Sequence, residues 1–496
     1  MGSWDNKILG FLLGGRESKR PRLLELRSAR WFILFTVSFA ACTDIFMYGL
    51  IVPVTPTALE HRVGFPADKI QTWTSVLLAL YSAALLAFSP IIGYLADRAG
   101  SRRWPFLVGL VLLAAATALL CIGTNIGLWI AGRLFQGAAA AVVWTVGIAL
   151  LVDTVGKEGL GQAIGYVSMS LSIGTLAGPL LGGVLYQHGG YYSVFGLAFG
   201  LIGIDILLRL VLIEKKHAAR WLMPETETMA SSLEQNDNKM TPAQDASDSS
   251  AIENGPPSEM SEKKSTRTRN PVGQAITLLS SPRLIVSLWG YFIVSLVLTS
   301  FDSVLPLFVQ ETFGWEQTGQ GLIFIPMMIP HLSDPITGYI IDKYPKSPRY
   351  LATGAFIGAV PVAVLLRLVT DNTMHHKVVL CVLLAMLGLC LAVAMPPLVT
   401  EVFHAVKEKE NEFPDIFGRG GAMALAFGLS NMGFAAGSLI GPFFAGFIRE
   451  DAGWGTMGWA MAIMTGVSAI PILLFIGGLI GKKPSPPNES DQPTPE

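Results

Sequence analysis

Long apolar stretches alternate with short polar ones along almost the whole chain. A helix needs about 20 predominantly apolar residues to cross roughly 30 Å of hydrocarbon. The pattern therefore predicts a membrane protein with twelve spanning helices. They are expected at residues 31–58, 72–95, 105–123, 127–151, 161–186, 191–213, 283–309, 319–341, 350–370, 378–403, 421–447 and 456–480.

A polar stretch divides these spans into two sets of six. Residues 214–282 are rich in Ser, Glu, Asp, Asn and Pro and poor in aromatics, so they bury too little surface to fold alone. We expect a disordered cytoplasmic linker there, between six-helix bundles at 31–213 and 283–480. Phosphorylation, or binding of anionic lipid by its basic end, is an alternative use. Residues 1–30 and 481–496 are expected to be a cytoplasmic arm and tail.

One charged motif recurs at the same place in each half. Residues Gly93 to Arg98 (GYLADR) end the second span, and residues Gly338 to Lys343 (GYIIDK) end the eighth. A loop that repeats at equivalent positions indicates an internal duplication. The expected fold class is therefore an all-α membrane protein whose two six-helix bundles are pseudo-symmetric.

Composition and charge agree with a membrane protein. Hydrophobic residues make up 51% of the chain and charged ones 14%, and the net charge is −1. The near-zero net charge gives no indication of a nucleic acid partner. The four cysteines lie in apolar runs without the spacing of metal ligands, so we expect no metal, no disulfide and no cofactor. Lys and Arg concentrate on one side of the predicted bundle, which places both termini in the cytoplasm.

Two carboxylates fall inside predicted spans, where a charge is costly unless it faces a wet cavity or a partner. Asp44 lies about midway through the first span. Asp302 lies in the seventh, where we expect it to be the pseudo-symmetric partner of Asp44. Two carboxylates that face one cavity suit the binding of a proton or a cation. A buried structural hydrogen bond is the alternative for each.

Three further polar residues are candidates for the same site. Arg133 lies inside the fourth span and cannot lose its proton, so it needs a carboxylate or carbonyl partner. Gln136 is its neighbour. Glu401 follows a double proline that is expected to interrupt the tenth span, as at transporter binding sites. A carboxylate at the cytoplasmic end that only meets water is the alternative for Glu401.

Together these features resemble the major facilitator superfamily, whose members have two six-helix halves. Residues 93–103 are similar to the family's loop between helices two and three. Residues 132–137 (GRLFQG) resemble its fourth-helix motif, for which the family assigns Arg133 a coupling role. Residues 170–183 resemble the fifth-helix motif of the drug:proton antiporter branch.

Within that branch the sequence most resembles the vesicular amine transporters and their fungal relatives. Asp44 precedes residues 52–56 (VPVTP), and residues 301–308 (FDSVLPLF) match the seventh helix with Asp in place of Glu. The tenth-helix acid of the amine carriers aligns with Leu391 or a neighbour, and a second-helix lysine aligns near Tyr81. Because of these departures we do not infer selectivity for amines, but we still expect transport.

The repeated charged loops resemble a gate that holds the halves together on the cytoplasmic side. Asp97 is expected to face the N-terminus of helix eleven, where a carboxylate is favoured by roughly 0.3–1 kcal/mol. The residues expected to form this cytoplasmic gate are Gly93, Asp97, Arg98, Gly100, Arg102, Arg103, Asp342 and Arg419.

The fifth-helix motif presents small residues at helical spacing. Its expected members, on one face of the helix, are Gly174, Gly178, Pro179, Gly182 and Gly183. Tight packing is one interpretation. A bending seam at the interface of the halves is the other. Gly433, Gly437 and Gly441 repeat the pattern in the second half, so helices five and eleven are expected to be counterparts.

Other ionisable residues have simpler expectations. Asp205 and Arg209 are four residues apart in the sixth span and are expected to form a structural pair. Asp334 either pairs with the basic loop at Lys343 or is a further proton site. His331 is expected to be a packing residue.

The function that these expectations favour is secondary transport. The resemblance implies a proton-coupled antiporter that exports a hydrophobic or cationic organic compound by alternating access. Uniport or symport of a nutrient is the first alternative, and a non-transporting membrane receptor is the second. An enzyme is not expected, because no cluster of catalytic groups and no P-loop is present. We expect a monomer in the plasma membrane or the vacuolar membrane, with a small organic substrate, protons and lipid as its partners.

Overall fold

The computed structural model describes residues 23–99, 101–215, 218, 221, 271–315, 317–413, 416–418 and 421–478. All regular structure within them is helical. The principal helices are α1 (Arg30–Ile51), α2 (Ala67–Arg98), α3 (Arg103–Ile122), α4 (Ile126–Val155), α5 (Leu160–Gly189), α6 (Tyr191–Val211), α7 (Pro282–Phe313), α8 (Asp334–Lys343), α9 (Ser347–Leu365), α10 (Met374–Glu412) and α11 (Met423–Phe475).

These helices give the expected all-α architecture of twelve crossings. Within the described residues, ten helices are long and apolar enough to span a membrane. One of them, α11, contains Gly453 in a non-helical conformation (φ 85°), so it consists of two arms, 423–452 and 454–475, that serve as two crossings. The twelfth crossing is the path into α8, which is built from short pieces. The predicted fold class is confirmed.

The crossing that leads into α8 is broken into short helical pieces. Short α-helical pieces at Gln317–Leu322 and Ile325–Met328 are followed by a 3₁₀ segment at Ile329–Ser333, and then by α8 itself. Pro326, Pro330 and Pro335 explain the breaks, because each lacks the N–H that a continuous helix needs. The 3₁₀ segment carries His331, which pairs with Asp334 at the start of α8.

The expected interruption of α10 at its double proline is wrong. Pro396 and Pro397 lie inside a continuous helix of 39 residues. Thr400 lies one turn further on, and its hydroxyl donates to the carbonyl oxygens of both prolines, at 2.9 and 3.0 Å.

The two halves join through crossed helix pairs. Within a half, α1 packs along α5, and α7 packs along the first arm of α11. Between halves, α2 packs along the first arm of α11, and α5 packs along α8. The halves are therefore related as the internal repeat predicts.

Order extends into the predicted linker. The helix Pro271–Leu279 lies within 214–282, and it packs through Leu278, which is 1% exposed. The expectation of disorder is wrong for this part, because Leu278 joins the apolar cluster at the ends of α1, α4 and α10. Residues 1–22, 222–270 and 481–496 lie outside the described residues.

Candidate functional site

Asp44 lies at the centre of a cluster of aromatic side chains. Its side chain is fully buried in the middle of α1. One carboxylate oxygen, Oδ2, accepts hydrogen bonds from the Tyr81 hydroxyl at 3.2 Å and from Trp144 Nε1 at 3.0 Å. The other oxygen, Oδ1, has no partner among the described residues. Asp44 is thus held by two neutral donors from α2 and α4, and no cation contacts it from the described part of the chain.

A buried guanidinium lies close to this cluster. Arg133 and Gln136 of α4 are both fully buried, and Arg133 Nη1 donates to Gln136 Oε1 at 2.9 Å. The guanidinium lies 5.8 Å from the centre of the Tyr48 ring, which in turn contacts the Tyr81 ring at 4.8 Å. Arg133 Nε and Nη2 have no hydrogen-bond partner among the described residues. The Tyr48 and Tyr81 rings therefore connect Arg133 to Asp44.

Asp302 belongs to the same region but lies at a different depth. Its side chain is exposed, although protein atoms surround it. It is close enough to the Tyr48 hydroxyl to interact with it electrostatically. The structure therefore brings Asp44, Asp302, Arg133 and Gln136 together around Tyr48.

Glycines that pack on carbonyl oxygens show which residues of α1 and α7 occupy equivalent positions in the two halves. A Cβ atom added to Gly178 would lie 2.8 Å from the carbonyl oxygen of Phe46 in α1. A Cβ atom added to Gly441 would lie 2.6 Å from the carbonyl oxygen of Leu296 in α7. Both glycines directly precede the proline of their helix, so Phe46 of α1 corresponds to Leu296 of α7.

This register corrects one expectation. Asp44, two residues before Phe46, corresponds to Val294, whereas Asp302 lies eight residues further along α7. At 1.5 Å per residue, Asp302 is displaced from the equivalent position by about 12 Å along the helix. The prediction that Asp302 is the pseudo-symmetric partner of Asp44 is therefore wrong, although both carboxylates lie near Tyr48.

Glu401 belongs to another cluster. It is 1% exposed, and its Oε1 accepts hydrogen bonds from Arg283 Nε at 2.6 Å and from the Gly477 backbone N–H at 2.8 Å. Arg283 also donates to Glu408 at 2.7 Å. These bonds tie α7, α10 and the end of α11 together within the second half. The interpretation of Glu401 as a substrate or proton ligand is not supported by this placement, because an ion pair satisfies its carboxylate.

Asp97 links the two halves at one end of the bundle. Its carboxylate accepts hydrogen bonds from the backbone N–H groups of Ala424 at 2.9 Å and Leu425 at 2.8 Å, in the first turn of α11. Arg102 donates to the same carboxylate at 3.0 Å. A Cβ atom on Gly93 would lie 2.6 Å from the Ala424 carbonyl oxygen, so only glycine permits this approach. The contact of Asp97 with this helix start is the one expected from the sequence.

Asp342 makes the equivalent link in the opposite direction. Its carboxylate accepts from the backbone N–H groups of Gly161 at 2.7 Å and Gln162 at 2.8 Å, in the first turn of α5. Each half therefore places a carboxylate at the N-terminus of a helix of the other half, where the helix dipole favours negative charge. We refer to the two contacts of Asp97 and Asp342 as the paired latches.

Three other predicted gate residues make contacts within the first half. Arg98 lies over the Tyr94 ring at 4.1 Å. Arg102 joins Asp97 to Asp153. Arg103 donates to the carbonyl oxygen of Leu210, so it fastens α3 to α6. All three contacts lie within the first half, because the motif turns back on its own helices. Gly100 and Arg419 lie outside the described residues.

The glycines of α5 line a contact within the first half. Cβ atoms on Gly174 and Gly178 would collide with carbonyl oxygens of α1, at 2.6 and 2.8 Å, and Gly182 meets that of Leu50. Pro179 lies against Gly49. The seam is therefore between α5 and α1, and the expectation that it lies at the interface of the halves is wrong. Gly183 points to open space, because it is one residue off the stripe.

Three remaining ionisable residues differ from their expectations. Asp205 and Arg209 are both fully buried and interact electrostatically with each other, but no hydrogen bond joins them. Among the described residues, Asp334 accepts no hydrogen bond from Lys343 or from the loop after α8. Its partner there is His331 Nδ1, at 3.3 Å. Sequence reasoning did not assign Arg283 to Glu401, because the two are 118 residues apart. The sequence does contain one indication of this pair: Arg283 lies at the start of an apolar span, where an arginine needs a partner.

Comparisons with known proteins agree with this architecture. The family model of the Major Facilitator Superfamily matches residues 34–413. The MFS-type transporter ppzB of Metarhizium rileyi is 32% identical over 92% of this chain and 97% of its own length. An uncharacterised MFS-type transporter of Schizosaccharomyces pombe is 31% identical over 90% of this chain and 94% of its own.

More distant proteins are similar along most of the chain. A probable vesicular acetylcholine transporter of Danio rerio is 23% identical over 95% of this chain and 83% of its own length. The crystal structure of the human organic anion transporter MFSD10 matches with a TM-score of 0.62 at 16% identity. It covers 90% of this chain and 99% of that one, and this likeness concerns the fold alone.

Proposed function

The chain belongs to the major facilitator superfamily of membrane transporters, and from that premise we propose that it is a proton-coupled antiporter which exports a hydrophobic or cationic organic compound. Alternating access between the two halves carries the substrate past a site near Asp44 and Asp302. Multi-pass insertion in a membrane is already given by the family and by the apolar helices.

The observation that carries the proposal is the environment of Asp44. An ionised carboxylate loses several kcal/mol of hydration when it is buried, unless a cation compensates it. Asp44 is fully buried, and its donors within the described helices are the neutral side chains of Tyr81 and Trp144. It is stable there with a proton, and it is stable as an ion once water or a cationic substrate reaches it. Proton and cation therefore compete for one carboxyl, as antiport requires.

The paired latches support alternating access. Four backbone N–H groups, two from each half, donate to a carboxylate of the other half, all at one end of the bundle. The excess of Lys and Arg at this end supports a cytoplasmic location for it. The described conformation then has its cytoplasmic side closed, and substrate leaves toward the opposite side past the exposed Asp302. Breaking the latches gives the inward-facing state.

A cationic substrate suits the charges and rings of the site. Asp302 is exposed beside Tyr48, and Trp144 and Tyr81 surround Asp44. Aromatic faces and carboxylates are the groups that recognise organic cations. The vesicular acetylcholine transporters among the distant relatives are named for such a compound. We propose a monomer in the plasma or vacuolar membrane, with both termini in the cytoplasm.

The test uses the full chain reconstituted into liposomes. Tetraphenylphosphonium, a hydrophobic organic cation, should accumulate when a pH gradient is imposed, and the variant Asp44→Asn should lose that accumulation. Asp451→Asn alters an exposed carboxyl outside the site and is the matched control. Accumulation that survives in Asp44→Asn removes Asp44 from the mechanism. Flux of the wild type that ignores pH favours uniport, and binding without flux favours a receptor.

A further inference from the structure

A pair of buried charged residues in α6 remains unexplained by the site. Asp205 and Arg209 are one helical turn apart, and both are fully buried. Neither carboxylate oxygen of Asp205 has a hydrogen-bond partner among the described residues, and the same holds for all three guanidinium nitrogens of Arg209. Five polar atoms in one turn of a membrane helix are costly without partners, since each loses its hydration.

The depth of Arg209 follows from its contacts. Its guanidinium lies 3.4 Å from the centre of the Phe106 ring in α3. A Cβ atom added to Gly147 of α4 would lie 3.0 Å from Phe106 and 3.6 Å from Val37 of α1. Arg209, Phe106 and Val37 therefore lie at about the same level of the first half.

Asp205 lies between this level and Asp44. The helices α1 and α6 are antiparallel, since the backbone N–H that follows α6 at Ile213 donates to the carbonyl oxygen of Arg27 before α1. Asp44 is seven residues beyond Val37, about 10 Å along α1, and Asp205 is about 6 Å from Arg209 in the same direction. The two carboxyls thus differ in depth by only about 4 Å.

The charged groups around Asp205 and Arg209 follow one another along the bundle toward the end that holds the paired latches. Asp44 of α1 is close enough to interact electrostatically with Asp205. Arg103 of α3 and Glu214, just after α6, are close enough to act on Arg209. Glu214 in turn accepts a hydrogen bond from the backbone N–H of Arg103 at 2.7 Å. These are the charged groups that face the pair from the described parts of the helices around it.

Water is the partner that fits these atoms. A buried water makes about three hydrogen bonds to otherwise unsatisfied polar groups. Here the carboxylate offers acceptors and the guanidinium offers donors, all within one turn. Water between them would satisfy both, and it would extend the polar path from Asp44 toward the latch end.

We propose that Asp205 is a second proton-carrying carboxyl, which receives the proton of Asp44 through water held at Arg209 and passes it toward Glu214. The O–H bond of Asp44 breaks, the proton moves through water to a carboxylate oxygen of Asp205, and Asp44 is left ionised. Arg209 compensates the negative charge of Asp205 before the proton arrives. The proton then travels inside the first half, whereas the substrate travels between the halves. This inference rests on the proposed antiport.

The experiment separates proton movement from substrate movement. The full chain is reconstituted into liposomes that enclose the pH dye pyranine, and tetraphenylphosphonium is added. One readout is the internal pH change that the added cation drives. The other is counterflow, the exchange of labelled for unlabelled cation at equal pH, which needs no net proton movement. For Asp205→Asn we expect at least a tenfold loss of the first readout and counterflow within twofold of wild type.

Companion variants guard against a purely structural effect. Asp205→Glu restores a carboxyl and should recover proton movement. The double variant Asp205→Asn, Arg209→Gln removes both charges, so it leaves no unpaired guanidinium to unfold the protein, and it should behave as Asp205→Asn does. Wild-type proton movement in either Asn variant overturns the proposal, and so does equal loss of both readouts in folded protein. A wild type that moves the cation without protons refutes the antiport itself, and the relay falls with it.

Discussion

Removal of the charge of Asp97 should open the latch end of the protein. In Asp97→Asn, the two hydrogen bonds from the first turn of α11 lose their anionic acceptor. Hydrogen bonds to charged groups contribute about 1.5–3 kcal/mol and neutral ones about 0.5–1.5, so each bond is weakened by roughly 1–1.5 kcal/mol. The amide also turns an N–H₂ group toward one of the two backbone N–H donors.

Only bonds between the halves contribute to the equilibrium between the closed and the open latch end. The ion pair of Asp97 with Arg102 lies within the first half, so its loss in the variant affects the closed and the open state equally. The latch contribution therefore falls by about 2–3 kcal/mol, which multiplies the ratio of open to closed protein by roughly 30 to 150. A minor open state of a few per cent would become the major one.

Spin labels across the latch end measure this ratio directly. Lys157 follows α4 in the first half and Lys346 follows α8 in the second, and both are exposed. Cysteines at these two positions, in a chain whose four native cysteines are replaced, are labelled and studied in lipid nanodiscs by double electron–electron resonance. The wild type should give mainly the short distance, and Asp97→Asn should add a dominant longer one.

The matched control is Asp153→Asn. Asp153 also receives a hydrogen bond from Arg102, at 3.2 Å, but its side chain is 49% exposed and none of its described bonds reaches the other half. Its distance distribution should equal that of the wild type. Identical distributions for Asp97→Asn and wild type would show that the latch does not hold the halves together.

Further outcomes follow from other contacts. Asp342→Asn should lengthen the same label distance as Asp97→Asn does, and the free-energy effects of the two should add, because independent distant sites are additive; equal distributions for single and double variants contradict this. Gly178→Val should lower the unfolding temperature, because its Cβ atom meets a carbonyl oxygen of α1 at 2.8 Å, whereas Gly183→Val faces open space and should leave it unchanged. Arg283→Met should destabilise the protein by about 3–5 kcal/mol in thermal unfolding, since it strands a buried carboxylate. Lys407→Met, in an exposed pair, should cost less than about 1 kcal/mol.

Local properties of the chain were predictable from the sequence. The length of an apolar run decides whether it spans the membrane, so the crossings could be placed without knowledge of their neighbours. The contact of Asp97 was also accessible, because its loop resembles the family's loop between helices two and three. The fold class followed from the recurrence of this loop at Asp342.

Long-range packing decided the expectations that were wrong. The partner of Glu401 is Arg283, 118 residues away, and no local pattern connects them. The spacing of Asp205 and Arg209 places them on one face, but packing turns the guanidinium onto Phe106. The offset of Asp302 from Asp44 depends on how α5 and α11 lie against their neighbours, which the period of a single helix does not encode.

That offset has an electrical consequence. The displacement of about 12 Å between the two carboxyl levels is roughly 40% of a hydrocarbon layer about 30 Å thick. A membrane voltage of 100 mV does about 2.3 kcal/mol of work on an elementary charge that crosses the whole layer, and so about 0.9 kcal/mol on one that moves between these levels. A cation bound at Asp302 and a proton bound at Asp44 therefore feel the voltage unequally, and the resting potential of the cell biases which of the two carboxyls is occupied.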